Sequence, residues 1–237
     1  TDNDFGAQMQ QKFRLWHDPQ MKLKSLEAKP QGGEMVVAAK YELPELAAQL
    51  ELTYTIDGNG AVEVAEVLTV DPAQKDMPHL FRFGMELTMP HQYDQICYYG
   101  RGPQESYSDR KAAALIGLYT EDVDDQYYPY IRPQESGNKT DVRYWKQIDR
   151  SGRGFEIRSD KPFQASALPY LTADLDDGVE KHQRHSGELT PRDLVNVHID
   201  AVQMGVGGED SWGSWPRPAY RLPYGDYSFR FVLVPIR

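Results

Sequence analysis

Leu50-Glu51-Leu52-Thr53-Tyr54-Thr55-Ile56-Asp57-Gly58-Asn59-Gly60-Ala61-Val62 runs an alternating segment straight into a turn. Leu50, Leu52, Tyr54 and Ile56 fall on one side of a period of two, which predicts a half-buried strand. Asp57-Gly58-Asn59-Gly60 supplies residues that tolerate a tight reversal, and Val62 to Val70 reads as the returning strand of a hairpin. The apolar parity slips between Val64 and Val67, which predicts a β-bulge there.

Outward from the hairpin the same signal repeats. Met35 to Leu43 is a β-rich run, and Phe81, Phe83, Met85 and Leu87 alternate with Arg82, Gly84 and Glu86. Arg143 to Ile148, Phe155 to Arg158, Gln164 to Leu168 and Leu194 to Ala201 are further strand candidates. The last, Tyr227 to Val234, sets Tyr227, Phe229, Phe231 and Leu233 on one face. Helical period is confined to Phe5 to Trp16, before Asp18-Pro19, and Leu171 to Gln183, with Thr172 as N-cap and Asp174 and Asp176 in its first turn. The 19 glycines and 16 prolines are spread as turn punctuation, without a linker or repeat. The expectation is one all-β domain over residues 1–237, an antiparallel sandwich.

Charge narrows the partners. Lys plus Arg is 26 against 36 Asp plus Glu, a net charge of −10. Phosphate binding needs a basic face, so neither nucleic acid nor an anionic membrane surface is an expected partner. No apolar run approaches the roughly 18 residues of a membrane span. The lone cysteine, Cys97, rules out an internal disulfide or a Cys-based zinc site, and between Ile96 and Tyr98 it reads as a small buried hydrophobe. Compartment stays open between cytoplasm and periplasm. The opening Thr1-Asp2-Asn3-Asp4 has no initiator Met and no leader-type composition, so the chain reads as a piece of something longer.

Few motifs carry chemistry. His182 and His185, near Asp176, Asp177 and Glu188, have metal-ligand spacing, but a solvated loop with one His bonded to backbone is the favoured reading. The glycines at 100, 102, 205, 207 and 208 complete no dinucleotide fingerprint, and there is no nucleophile elbow. Two carboxylates flanking a sugar bond suffice for glycoside hydrolysis, yet 36 acids nominate no pair. Glu105 and Glu135 sit in similar phrases, Gly102-Pro103-Gln104-Glu105-Ser106 and Pro133-Gln134-Glu135-Ser136-Gly137, and read as exposed or loop-capping acids. The segment Met204 to Pro216 is more telling, because it holds Trp212 and Trp215 in a stretch too rich in Gly and Pro for helix or central strand. An indole there matches the C–H face of a pyranose, with Asp210 and Ser211 beside it for hydroxyls. Trp212 fits this role and that of a loop plug equally; Trp215, before a proline, reads as a plug.

Three segments carry a resemblance. Tyr99 to Arg110, Pro129 to Asn138 and the Met204 to Trp212 loop resemble, in order, signatures of the C-terminal, small-chain type domain of glycoside hydrolase family 2 β-galactosidases. Thr1-Asp2-Asn3-Asp4-Phe5-Gly6 is similar to an early segment of the same domain. The resemblance implies an all-β, large antiparallel super-sandwich, galactose mutarotase-like, whose N-terminal edge lies before residue 1. It also implies a galactoside substrate, a homo-oligomeric parent, and a catalytic Glu pair on a (β/α)₈ barrel outside this chain. The magnesium and sodium of the parent go with that barrel, leaving no cofactor here. The Trp that lines the galactoside pocket in the family corresponds to Trp212, within Gly207-Gly208-Glu209-Asp210-Ser211-Trp212, where Glu209 keeps the charge of an Asp. Asp2, Asn3 and Asp4 correspond to a segment facing the barrel and are weaker site candidates. Two alternatives stand beside this: an aldose 1-epimerase, which needs a His and a Glu converging on the sugar, and a carbohydrate-binding or packing module.

Overall fold

The computed structural model describes residues 1–210 and 212–237. The chain is all-β, as the alternation predicts. Its strands are β1 (Lys22–Gln31), β2 (Glu34–Leu43), β3 (Ala48–Ile56), β4 (Val62–Val70), β5 (Arg82–Pro90), β6 (Gln95–Gly102), β7 (Leu115–Asp122), β8 (Lys139–Ile148), β9 (Gly154–Leu168), β10 (Leu194–Gln203) and β11 (Tyr227–Ile236). The β3–β4 hairpin closes on Ile56 opposite Val62. Asp57 Oδ1 holds its turn, accepting from the N–H groups of Asn59 at 2.8 Å and Ala61 at 2.9 Å.

One antiparallel sheet runs β1-β2-β3-β4-β11-β9-β8-β6-β7, with β10 and β5 branching from β9. The branch has a local cause. The first half of β9, Gly154 to Arg158, pairs with β11, whereas Gln164 to Leu168 pairs with β10. Along β8 the register with β9 shifts twice near Asp141, whose φ is +53°. There β9 passes from its β11 partner to its β10 partner, and β5 and β10 both lie against β11. The two faces meet around Val64, Ile199, Phe229 and Phe231, with the Phe83 and Tyr227 rings 5.6 Å apart.

The structure corrects several expectations. Strand β4 has no bulge, since its register is unbroken against both β3 and β11. Its pattern slips because Glu66 takes an inward position, 3% exposed, between buried Val64 and Leu68, while Val67 points outward. Cys97 is half-buried rather than buried, because the inward positions of β6 are Ile96, Tyr98 and Gly100. Phe5 to Trp16 is not one helix but three turns, α1 (Asp2–Gly6), α2 (Met9–Lys12) and α3 (Arg14–His17), broken at left-handed Gln8. Met9 and Phe13 anchor these turns in the core. Only α4 (Thr172–Leu175) forms in the second helical segment, and its N-cap is Leu171 rather than Thr172. Asp174 closes that turn by accepting from Leu171 N–H at 2.8 Å. Strands β1, β6 and β7 were not expected.

Candidate functional site

Trp212 stands out from the domain, 90% exposed. The segment carrying it is nevertheless held at its root. Asp109, on the loop after β6, accepts from Val206 N–H at 3.2 Å and Gly207 N–H at 2.8 Å. A Cβ on Gly205 would come within 2.6 Å of Asp109 Cγ, so a larger residue there would push the anchoring carboxylate aside. At the tip, Asp210 Oδ1 accepts from Trp212 N–H at 2.8 Å and Ser214 N–H at 3.3 Å. Those bonds hold the Asp210 carboxyl below its usual range. Asp210 thus shapes the turn that presents the indole. Ser211 lies outside the described residues.

The N-terminal candidates come to the same place. Asn3 Nδ2 donates to Val206 O at 3.3 Å. Gly213, at φ +119°, sits so close to α1 that a Cβ would reach Gly6 O at 2.6 Å. Asp2 pairs with Lys181 and approaches Arg132 Nε at 3.9 Å, while its N–H donates to Gln134 Oε1 at 3.1 Å. Burial pushes the Asp2 carboxyl up, but Lys181, Gln134 and Arg132 outweigh it and hold the group below its usual range. Asp4 lies in the first turn of α1, where Thr1 is the N-cap. Trp215, as expected, is a plug: its ring meets Phe13 and His79 edge-on at 5.4 Å each and stacks under Arg221.

The two similar phrases are lashed together behind this corner. Glu105 bonds Arg110 and the Tyr130 hydroxyl, and its Oε2 accepts from Gly137 N–H at 2.8 Å. It is the loop-capping acid the sequence suggests, though mostly buried rather than exposed. Asn138 Nδ2 donates to Ser106 O at 2.8 Å and to Gln164 Oε1 at 2.9 Å.

Glu135 does something else. Its Oε2 lies 3.7 Å from Arg82 Nη1, and Arg82 Nη2 lies 3.0 Å from Asp200 Oδ2. One guanidinium therefore faces two carboxylates, with Glu66 from β4 close enough to feel Asp200. Burial pushes Asp200 up to about 7 against the pull of Arg82, with Glu135 adding to the rise. Burial also raises Glu66 to about 7, with the Asp200 charge helping. His198 is lowered to about 3 by burial and by Arg82. Arg82 Nη1 stands 3.1 Å from His198 Nδ1. A guanidinium can only donate, so the imidazole proton sits on Nε2, 3.3 Å from Thr172 Oγ1. Arg82, Glu135 and His198 line a cavity of about 520 Å³ between the N-terminal turns and the β5–β9–β10 face. Sequence reasoning missed this cluster, whose members lie on β4, β5, β10 and a loop.

His182 and His185 do not form a metal centre. His185 Nδ1 lies 3.2 Å from Ile131 O and His182 N–H donates to Asp177, as a loop structure requires. Among the described residues no group of three or more His, Cys, Asp or Glu could hold a metal ion.

Comparison with known proteins places this corner in context. A family described as "Beta galactosidase small chain" matches residues 1–233. The chain is similar to the β-galactosidase of Priestia megaterium, 34% identical over all of this chain and 22% of that protein. It is similar to that of Bifidobacterium adolescentis, 35% identical over 94% of this chain and 21% of the relative. That of Lactobacillus delbrueckii subsp. bulgaricus is 34% identical over 94% and 21%. The chain thus spans about a fifth of the length of the curated relatives it matches. Among solved structures, an α-galactosidase from Lactobacillus brevis covers 91% of this chain and 27% of its own, with TM-score 0.48 and 8% identity. An aldose epimerase homologue from C. elegans covers 90% and 69%, with TM-score 0.41 and 12% identity.

Proposed function

The chain belongs to the β-galactosidase small-chain family, and from that premise we propose that it is the C-terminal domain of a glycoside hydrolase family 2 β-galactosidase that completes the galactoside pocket. The catalytic carboxylates belong to the barrel of the parent enzyme, a homo-oligomer, and act on terminal β-galactosides. Magnesium and sodium belong to that barrel as well. The observation that carries the reading is Trp212, an indole 90% exposed on a loop held at its root by Asp109 and abutting α1. An apolar ring so placed has no aromatic partner among the described residues and offers a flat face to a sugar. Asp2, Asn3 and Asp4 extend the same surface toward the barrel.

His198 speaks against an aldose 1-epimerase. Its Nδ1 accepts from Arg82 and its remaining proton, on Nε2, faces Thr172 Oγ1 at 3.3 Å, so both ring nitrogens are engaged within the chain. The packing-module reading keeps the fold but leaves Trp212 without a role.

Steady-state kinetics on the intact enzyme test the proposal. An aromatic contact is worth on the order of 0.5–1.5 kcal/mol beyond area burial, and about 1–2 kcal/mol more comes from burying the ring. Trp212→Ala is therefore expected to raise KM roughly ten- to a hundredfold, with kcat falling less because the carboxylates are untouched. An unchanged KM in a folded variant would make the loop structural.

A further inference from the structure

The cavity behind the N-terminal turns is not accounted for by completing a pocket at Trp212. At about 520 Å³ it is the size of small-molecule sites generally. Its wall includes the rings of Phe13 and Trp16, and its polar side includes Arg82, Glu135, His198 and Gln203. Arg82 and Glu135 keep about a quarter of their side-chain surface accessible, 23% and 25%, although both sit in the charged cluster. Gln203 is 7% exposed and its Oε1 has no hydrogen-bond partner among the described residues; the same holds for Asn196 Oδ1 at 2%. Buried amide oxygens are ordinarily satisfied, and leaving one unmade costs on the order of 1–3 kcal/mol.

We propose that this cavity is a second carbohydrate site, for a neutral monosaccharide or polyol, lined in part by Asp2, Asp4, Gly205 and Val206 at the root of the Trp212 loop and distinct from the face of the indole itself. Hydroxyl groups both donate and accept, which suits a wall offering a guanidinium, a carboxylate and amides side by side. The C–H face of a sugar ring suits Trp16. An anionic ligand would meet Asp2, Asp4 and Glu135 on the cavity wall, and a cationic one would meet Arg82, Arg132 and Lys181.

The test is a two-dimensional ¹H–¹⁵N spectrum of the chain titrated with D-galactose, D-glucose, galactitol and galactose 6-phosphate. Trp16, Trp145, Trp212 and Trp215 give four indole resonances. The neutral ligands should shift the Trp16 indole with a millimolar dissociation constant and leave the Trp212 indole in place; the phosphate ester should not bind. The shift should survive Trp212→Ala and weaken at least tenfold in Glu135→Gln or Gln203→Met. Three results would overturn the site: no shift of Trp16 by any neutral ligand, a shift abolished by Trp212→Ala, or one indifferent to both cavity variants. The Trp16 resonance needs no variant, so a misfolded mutant does not decide the matter. Failure here leaves the kinetic test of Trp212 standing, and the converse holds too.

Discussion

Asp109 fastens the Trp212 loop with one carboxylate shared between two backbone N–H groups. Bonds to a charged acceptor contribute about 1.5–3 kcal/mol each, enough to select one loop conformation from many. In the intact enzyme, Asp109→Ala is expected to raise KM by about tenfold while kcat changes little, since roughly 1.4 kcal/mol of positioning is one decade. A KM within error of the parent would mean that the loop finds its place without this anchor. Trp215→Ala should do the reverse. Its ring packs on Phe13 and His79, so losing it should cost about 3 kcal/mol and lower Tm by about 9 °C, with KM moving no more than a few fold. A thermal melt and a Michaelis curve on each variant separate the two roles. The sequence distinguished the tryptophans only in part: a following proline marked Trp215 as a plug. It carried no local mark for Asp109, which meets Gly207 across 98 residues.

Strand β4 shows what a single inward acid does to an element. Glu66 faces the sandwich interior and is raised to about 7, chiefly by burial. An acid whose folded pKa lies above its unfolded value of about 4.5 favours folding fully below pH 4.5 and loses that contribution as pH rises through 7. Asp200, also raised to about 7, acts in the same direction. Stability should therefore decline between about pH 5 and 8, and Glu66→Gln should flatten that slope by roughly one proton. Urea denaturation at several pH values reads the slope directly; an identical slope in the variant would show Glu66 to be ionised in the fold. The same residue explains a misreading, since an inward carboxylate breaks the alternation and imitates a bulge. The hairpin strands were legible because β3 alternates straight into an Asp-Gly-Asn-Gly turn and a β-rich run follows it. Strand β1 was not, because nine of its ten residues are exposed and it has no apolar face to reveal it. The site was legible only where its residues are neighbours in sequence. Arg82, Glu135, His198 and Asp200 meet because β5 and β10 pair and a loop folds over them, which periodicity does not report.

For the whole molecule the question is whether this chain carries chemistry of its own. Retaining glycosidases set two carboxyls about 5–5.5 Å apart, one on each side of the scissile bond. The carboxylates that converge on one cationic group in the interior are Glu135 and Asp200, both beside Arg82. Asp200 is 1% exposed, buried between the two faces of the sandwich, where no glycosidic bond can reach it. Glu105 is consumed in joining Arg110, Tyr130 and Gly137. Asp2 is paired with Lys181, and Asp4 belongs to the capped first turn of α1. None of these acids is presented as a free pair at an open surface. The 237-residue chain is therefore expected to leave a chromogenic β-galactoside intact under conditions in which its circular dichroism confirms a β-dominated fold. Turnover that survives repurification and disappears in Glu135→Gln would place hydrolytic chemistry in the cavity and displace the barrel from the proposal.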